Sequence, residues 1–217
     1  MKKIYIVATP IGNLEDITIR ALEVLKKVDI ILCEDPDYHL RLLSYYGIKG
    51  KRLIKVTSAN EENSVNGIMK LLEEGKEVAL VSNSGTPNLS DPGGIIVREL
   101  QKRGIRCIPI PGPSALTTAI SVSPLPIHRF IFYGFIPKSV RKVEKVVEQY
   151  KSLGLPIVFF VPSSRIREFL GLLCEKYPHF EVVVFKELTK INEEIVSGFP
   201  CEILVEEKGE FVVVVRV

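Results

Sequence analysis

The chain has 217 residues, 46% hydrophobic and 25% charged, with a mean hydropathy of +0.20. That is the composition of an ordinary globular chain, long enough to bury a full core as one large domain or two smaller ones. The net charge of +3 is spread evenly, with 16 Lys/Arg against 14 Asp/Glu in residues 1–112 and 13 against 12 in residues 113–217, so no basic tail or block marks a nucleic-acid binder. No apolar run approaches the ~18 residues of a membrane-spanning helix. The run Ile4–Ala8 is too short for a secretory signal, and a cytoplasmic location is expected.

Ile4–Thr9 reads as a buried strand closed by the turn Pro10-Ile-Gly-Asn13. Asp16 is placed to cap a helix over about Thr18–Val28, with Ile19, Leu22, Leu25 and Val28 on its apolar face. Asp29–Cys33 is a second strand, and the next helix opens with Asp35 and Pro36 and stops at Gly47. A strand at Leu53–Val56 and a helix over Glu61–Glu74 lead to the strand that ends at Val81. The loop from Ser82 to Ser90 is long, since a plain strand-to-helix connection takes about two to six residues. It holds no strong acid or base. Asp91 and Pro92 read as a helix N-cap and first helical residue, with Gly93 and Gly94 leaving the first-turn amides open to a ligand. Beyond the carboxyl end of a strand is also where ligands bind in open α/β sheets.

A helix to Arg103 and a strand at Ile105–Ile110 complete a parallel α/β half. Prolines 109, 111 and 113 mark the boundary between domains 1–112 and 113–217. The second half reads as a helix from Ser114, a strand at Phe130–Tyr133 and a helix over Ser139–Ser152, followed by a strand at Ile157–Val161, a helix over Arg165–Lys176 and a strand at Val182–Lys186. A short helix is expected near Glu193. The strands Glu202–Val205 and Phe211–Val217 should form an antiparallel hairpin turning at Lys208-Gly209. The fold class is therefore α/β, with two α/β domains and a ligand cleft expected between them.

Cys33, Cys107, Cys174 and Cys201 are far apart, without a Cys-x-x-Cys pair, so all four read as structural rather than as metal ligands or a disulfide. His39, His128 and His179 are equally scattered, and no metal site is expected. Phosphate-loop and Gly-x-Gly-x-x-Gly signatures and a Ser/His/Asp set are missing. Glu34-Asp35, Ser163-Ser164-Arg165 and Lys186-Glu187 each follow a strand, where capping and ion pairing compete with a role at a substrate.

Several segments together resemble the bacterial small-subunit ribosomal RNA ribose 2′-O-methyltransferases acting on cytidine, within the tetrapyrrole (precorrin) methylase superfamily. They are Ile6-Val-Ala-Thr-Pro-Ile-Gly-Asn-Leu-Glu-Asp-Ile-Thr18, Gly85-Thr-Pro87, Ser90-Asp-Pro-Gly93, Ile110-Pro-Gly-Pro-Ser-Ala115, Arg129-Phe130, Glu187-Leu-Thr-Lys190 and Gly209-Glu210. The resemblance runs in order over essentially the whole chain. It implies the two-domain methylase fold, with a mostly parallel first sheet and a mixed second sheet. It also implies S-adenosylmethionine as methyl donor, ribosomal RNA in the small subunit as partner, and a homodimer.

Carried onto this chain, the donor contacts are Pro10, Ser82, Asn83, Ser84, Gly85, Pro111, Ser114, Ala115, Phe160 and Lys186. Asn13, Arg129 and Arg165 are the expected substrate contacts, and Glu34, Asp35 and Glu187 the candidate bases for a ribose hydroxyl. The chain departs from the family pattern on the substrate side. Pro36-Asp-Tyr-His39 stands for Thr-Arg-His-Thr, Asn83-Ser84 for Asp-Ala, and Phe160-Val-Pro-Ser-Ser164 for Tyr-Glu-Ser-x-His. These departures keep two other readings open, a paralogue that binds donor or RNA without transfer and a methylase of a small, tetrapyrrole-like molecule.

Overall fold

The computed structural model describes residues 2–217. The chain divides into two compact units, the first ending at Ser114 and the second beginning at Ala115.

The first unit carries strands β1 (Lys3–Val7), β2 (Ile30–Cys33), β3 (Arg52–Lys55), β4 (Val78–Val81) and β5 (Arg106–Ile110). All five run parallel in the order β3-β2-β4-β1-β5. Helices α1 (Ile19–Lys27), α2 (Pro36–Tyr45), α3 (Glu61–Glu73) and α4 (Gly94–Lys102) connect them. Alternate strand residues face opposite sides. Tyr5, Val7, Ile31, Cys33, Ala79 and Val81 pack with Ala21, Val24 and Leu25 of α1 and Leu43 of α2. Ile4, Ile30, Leu32, Val78 and Leu80 pack with Val65, Ile68 and Leu72 of α3 and Ile96 and Leu100 of α4. The sheet is thus buried on both faces, which is why its strands read as unbroken apolar runs. Pro109 fits because β5 is an edge strand.

The second unit holds helices α5 (Ala115–Ser121), α6 (Val140–Lys151) and α7 (Ile166–Lys176). Its strands are β6 (Ile131–Phe135), β7 (Ile157–Pro162), β8 (Glu181–Lys186), β9 (Glu194–Gly198) and β10 (Glu210–Arg216), in the order β6-β7-β10-β8-β9. Only β6 and β7 are parallel, so the sheet is mixed. One face buries Phe159, Val184, Val213 and Val215 against Val143 and Val147 of α6 and Phe169 and Leu173 of α7.

Several local expectations are corrected. Thr18, not Asp16, caps α1, its side chain accepting from the Ala21 amide, while Asp16 lies in a short 3-10 turn. The segment at Glu193 is no helix, and from Glu194 it is strand β9, paired antiparallel with β8. Glu202–Val205 forms no strand; β10 instead inserts between β7 and β8, burying five successive residues, Phe211–Val215, on both faces. A central strand satisfies two ladders at once, which a terminal hairpin leaves open. Finally, Cys174 and Cys201 form a disulfide. It ties the irregular stretch after β9 to α7, a proximity across 27 residues that spacing could not show. Cys33 and Cys107 are free. No helix of the described residues is long and apolar enough to cross a membrane.

Candidate functional site

The order β3-β2-β4-β1-β5 places the reversal of strand order between β4 and β1. The chain leaves β1 toward β2 and leaves β4 toward β5, so their loops part in opposite directions at adjacent carboxyl ends, the position where open α/β sheets form ligand crevices. The two loops are stitched together. Thr9 and Gly85 exchange backbone hydrogen bonds, Thr9 N to Gly85 O at 2.9 Å and Gly85 N to Thr9 O at 3.0 Å. The fully buried Thr9 hydroxyl donates to Ser82 O at 3.0 Å, and the buried Ser82 hydroxyl donates to Gly85 O at 3.0 Å.

The stretch 111–114 joins the same knot through Thr86 Oγ1, which donates to Pro113 O at 3.1 Å. Gly85 adopts φ +79°, and a Cβ there would sit 3.2 Å from Ile11 Cγ2 and 3.6 Å from Pro113 O. Only glycine lets three loops meet this closely. Pro10, Ser82, Asn83, Ser84, Gly85, Pro111 and Ser114 therefore gather at one sheet edge. Ser82 and Ser114 are buried, while Pro111 is exposed.

The loop does not end as expected. Asp91 is not an N-cap; α4 starts at Gly94 behind Gly93, which has φ 125° and makes no side-chain cap bond. Nor are the first-turn amides all open. The carboxylate of the buried Glu61, from the start of α3, accepts from Ile95 N at 2.9 Å. An acid 34 residues upstream caps this helix, and only the packing of α3 against α4 brings it there. Its charge at a helix N-terminus makes that end a poor seat for an anion.

Acidic groups cluster at the neighbouring end of β2. Asp35 caps α2, accepting from Asp37 N at 3.0 Å and Tyr38 N at 3.1 Å, and these amides hold its carboxyl below the usual range. Asn83 bridges the two strand ends, accepting from Asp35 N at 3.2 Å and donating from Nδ2 to Glu34 Oε2 at 3.3 Å. An aspartate at 83 would lack that donor, so the departure from the family pattern has a local reason. His39 is buried at 1% exposure, its Nε2 has no hydrogen-bond partner, and burial pushes its pKa down to about 4. Burial first, and then the Glu34 charge, push the Asp91 carboxyl up to about 6. Sequence reading missed Asp91 because its place before Pro92 suggested a cap.

The remaining candidates lie in the second unit or stand apart. Glu187, with φ 51°, accepts from Lys190 Nζ at 2.9 Å and Glu210 N at 2.8 Å, and its carboxyl is held below the usual range despite partial burial. Lys186 is buried between Glu194 Oε2 at 3.4 Å and Glu206 Oε2 at 3.5 Å. Phe160 packs edge-on against Phe132 and Phe135. Arg165 pairs with Glu168 and donates to Pro137 O at 3.1 Å and Lys138 O at 3.0 Å, so its guanidinium holds the turn after β6. Arg129 is exposed just before β6, and Ala115 opens α5. Asn13 caps the 3-10 turn, accepting from Glu15 N at 3.0 Å.

A family model described as Tetrapyrrole (Corrin/Porphyrin) Methylases matches residues 3–200. The chain belongs to this family. Among solved structures, diphthine synthase superposes on this methylase with a TM-score of 0.77 at 17% identity, covering 98% of this chain and 89% of that one. The methyltransferase CobJ gives 0.74 at 18% identity, covering 100% and 94%. At such identities the likeness shows the fold alone. Much nearer in sequence are proteins named Ribosomal RNA small subunit methyltransferase I. The one from Coprothermobacter proteolyticus is 42% identical over 213 residues, 98% of this chain and 96% of that protein. The one from Thermotoga maritima is 43% identical over 198 residues, 91% and 88% of the two chains.

Proposed function

We propose that this methylase is an S-adenosylmethionine-dependent methyltransferase that modifies the ribose 2′-oxygen of a cytidine in small-subunit ribosomal RNA, working in the cytoplasm as a homodimer. The observation that carries the proposal is 42% identity, spread over 98% of the chain, to a methyltransferase named for small-subunit ribosomal RNA. The tetrapyrrole alternative has behind it the name of the family model and a fold likeness to a cobalt precorrin-4 methyltransferase at 19% identity, well below the identity to the ribosomal RNA methyltransferases. Nothing in the site favours a chain without catalysis.

The first unit suits the donor. The stretch Val81–Gly94 has no Lys or Arg to repel a sulfonium, and Glu61 makes the start of α4 unattractive to anions. Pro10, Ser82–Gly85, Pro111 and Ser114 would hold the donor by backbone groups and shape. S-adenosylmethionine, when bound, supplies an electrophilic methyl group. The protein contributes by holding acceptor and donor in line at near-attack distance, while the exposed Arg129 would steer RNA. Of the three acids expected to act as base, Asp35 and Glu187 are committed to amides and to Lys190, which leaves Glu34 best placed.

Titration calorimetry with S-adenosylmethionine should give saturable binding; none at millimolar donor would sink the proposal. Labelled methyl should enter undermethylated small subunits at a single cytidine, and binding should weaken steeply with added salt.

A further inference from the structure

The even split of charge between the two halves conceals an uneven run within the second. The chain has 26 Asp/Glu among its 217 residues, yet none between Glu99 and Glu144. In the second unit this acid-free stretch ends on Lys138, Arg141 and Lys142, and Lys145 follows one helical turn beyond Arg141. All four cations are exposed, and none makes an ion pair among the described residues.

Local stability does not ask for this pattern. Val143, Val146 and Val147 are buried in the core, which turns Arg141, Lys142 and Lys145 to the outward side of α6. Like charges three and four residues apart destabilise a helix by about as much as opposite charges stabilise it. Elsewhere the same spacing alternates in sign: Glu99 pairs with Lys102 in α4, and Glu148 with Lys151 at the far end of α6. Cations in a first turn also oppose the helix dipole, and α6 has no acid there. Glu144, the nearest acid in sequence, is half-buried and pairs with none of the four.

The strand that leads into α6 adds aromatic rings. β6 is an edge strand, and its register on β7 slips between Phe132 and Gly134, leaving Tyr133 as the extra residue of a bulge. Tyr133 leans on Phe159 and stays 39% exposed, while Phe135 rests against Phe160 and is 55% exposed. The turn between β6 and α6 is pinned, because Arg165 donates to the carbonyls of both Pro137 and Lys138. Rings and cations are thus carried on one continuous strand–turn–helix segment.

We propose that the outward side of α6, together with the edge of β6, is a docking surface for single-stranded RNA. Lys138, Arg141, Lys142 and Lys145 meet phosphates, and Tyr133 and Phe135 stack on unpaired bases. The inference rests on ribosomal RNA as the substrate and names the surface that grips it. A polyanion answers cations that the fold leaves unanswered, and its condensed counterions are released as it binds. Exposed rings accept any unstacked base on their faces. This surface therefore supplies grip, and the choice of nucleotide is made elsewhere.

The test measures binding of the full chain to undermethylated small subunits at several salt concentrations, beside calorimetry with S-adenosylmethionine and thermal unfolding. The triple variant Arg141→Gln/Lys142→Gln/Lys145→Gln should bind subunits about tenfold or more weakly at ~0.1 M salt. Its log–log salt slope should be shallower by about 2, since each lost phosphate contact on a single strand removes about 0.7. Donor affinity and unfolding temperature should be unchanged. Phe135→Ala should weaken subunit binding by about tenfold with the salt slope unaltered, as loss of stacking requires. Removing three ion-paired cations of the same unit, Arg167→Gln/Lys176→Gln/Lys208→Gln, should change binding by less than about threefold. Equal losses in the two triple variants, an unaltered salt slope in the first, or a Phe135→Ala chain that binds like the unmodified one overturns the assignment alone. An unmodified chain that binds S-adenosylmethionine yet neither binds nor methylates small subunits overturns the RNA reading and this inference with it.

Discussion

The loop after β4 and the turn after β8 are built from the same unusual backbone and handle charge in opposite ways. After β4, Asn88 and Ser90 sit at φ 70° and 67°, followed by Gly93 at 125°. After β8, Glu187 and Thr189 sit at 51° and 67°, facing Gly209 at 96°. Left-handed backbone at non-glycine residues is strained in both places. At the second, every charge is answered. Glu187 has Lys190 and the Glu210 amide, Lys190 also reaches Glu210 Oε2 at 2.8 Å, and Glu193 Oε2 accepts from Thr189 N at 2.6 Å. At the first, the half-buried Asp91 makes no ion pair among the described residues, and burial, then the Glu34 charge, raise its carboxyl to about 6. Strain therefore does not single out the site. The two places differ instead in how completely hydrogen bonds and ion pairs answer their acids.

The two glycines test this contrast most strongly. At Gly93 a Cβ would lie 2.3 Å from Asn88 Oδ1 and 2.7 Å from Leu80 Cδ2 in the core. Gly93→Ala is expected to cost about 3 kcal/mol or more in urea unfolding and to weaken donor binding by over tenfold. At Gly209 the Cβ meets only the Glu187 side chain, 2.5 Å from its Cγ, which can swing away at the loss of its bonds. Gly209→Ala should cost about half as much. Equal costs would break the comparison.

His39 gives the next largest effect. Its pKa is near 4 in the folded protein against an ordinary 6.5. The unfolded chain therefore binds a proton that the folded chain refuses, and stability is lost as pH falls from 6.5 to about 4. Asp91 works in the opposite sense, shedding its burial penalty as it is protonated below about 6. The His39 contribution is about 3 kcal/mol across that window. His39→Leu should flatten the acid limb of stability against pH by about that amount; an unchanged limb would place the acid sensitivity elsewhere.

The smallest effect belongs to the turn after β8. Lys190→Met leaves Glu187 without its cation, and its carboxyl should move back up toward the ordinary range. Because both side chains are only partly buried, the cost at pH 7 is about 1 kcal/mol. The deficit should shrink as pH falls and Glu187 is protonated, which thermal unfolding at pH 7 and pH 4 would reveal.

The two units differ in how far their folds can be read from sequence, and the reasons are physical. The first unit was legible almost strand by strand, because a parallel sheet covered on both faces demands unbroken apolar runs separated by helical periods. The end of the second unit was not. Central placement of β10 and the pairing of β8 with β9 are contacts between distant segments, and local patterning favoured a hairpin between neighbours. The disulfide of Cys174 with Cys201 was hidden for the same reason.

By itself the sequence determined the alternation of strands and helices, the long loop after Val81 as the place for a ligand, and the family through motifs spread along the chain. Each of these is local, written in turn chemistry, apolar period and short motifs. Only the tertiary structure decided which strands are neighbours, that Glu61 rather than Asp91 caps α4, and that Asn83 bridges Asp35 and Glu34. Those facts depend on side chains brought together across 34, 48 and 49 residues. A carboxylate's chemistry is set by what stands beside it in space, which its neighbours in sequence do not record.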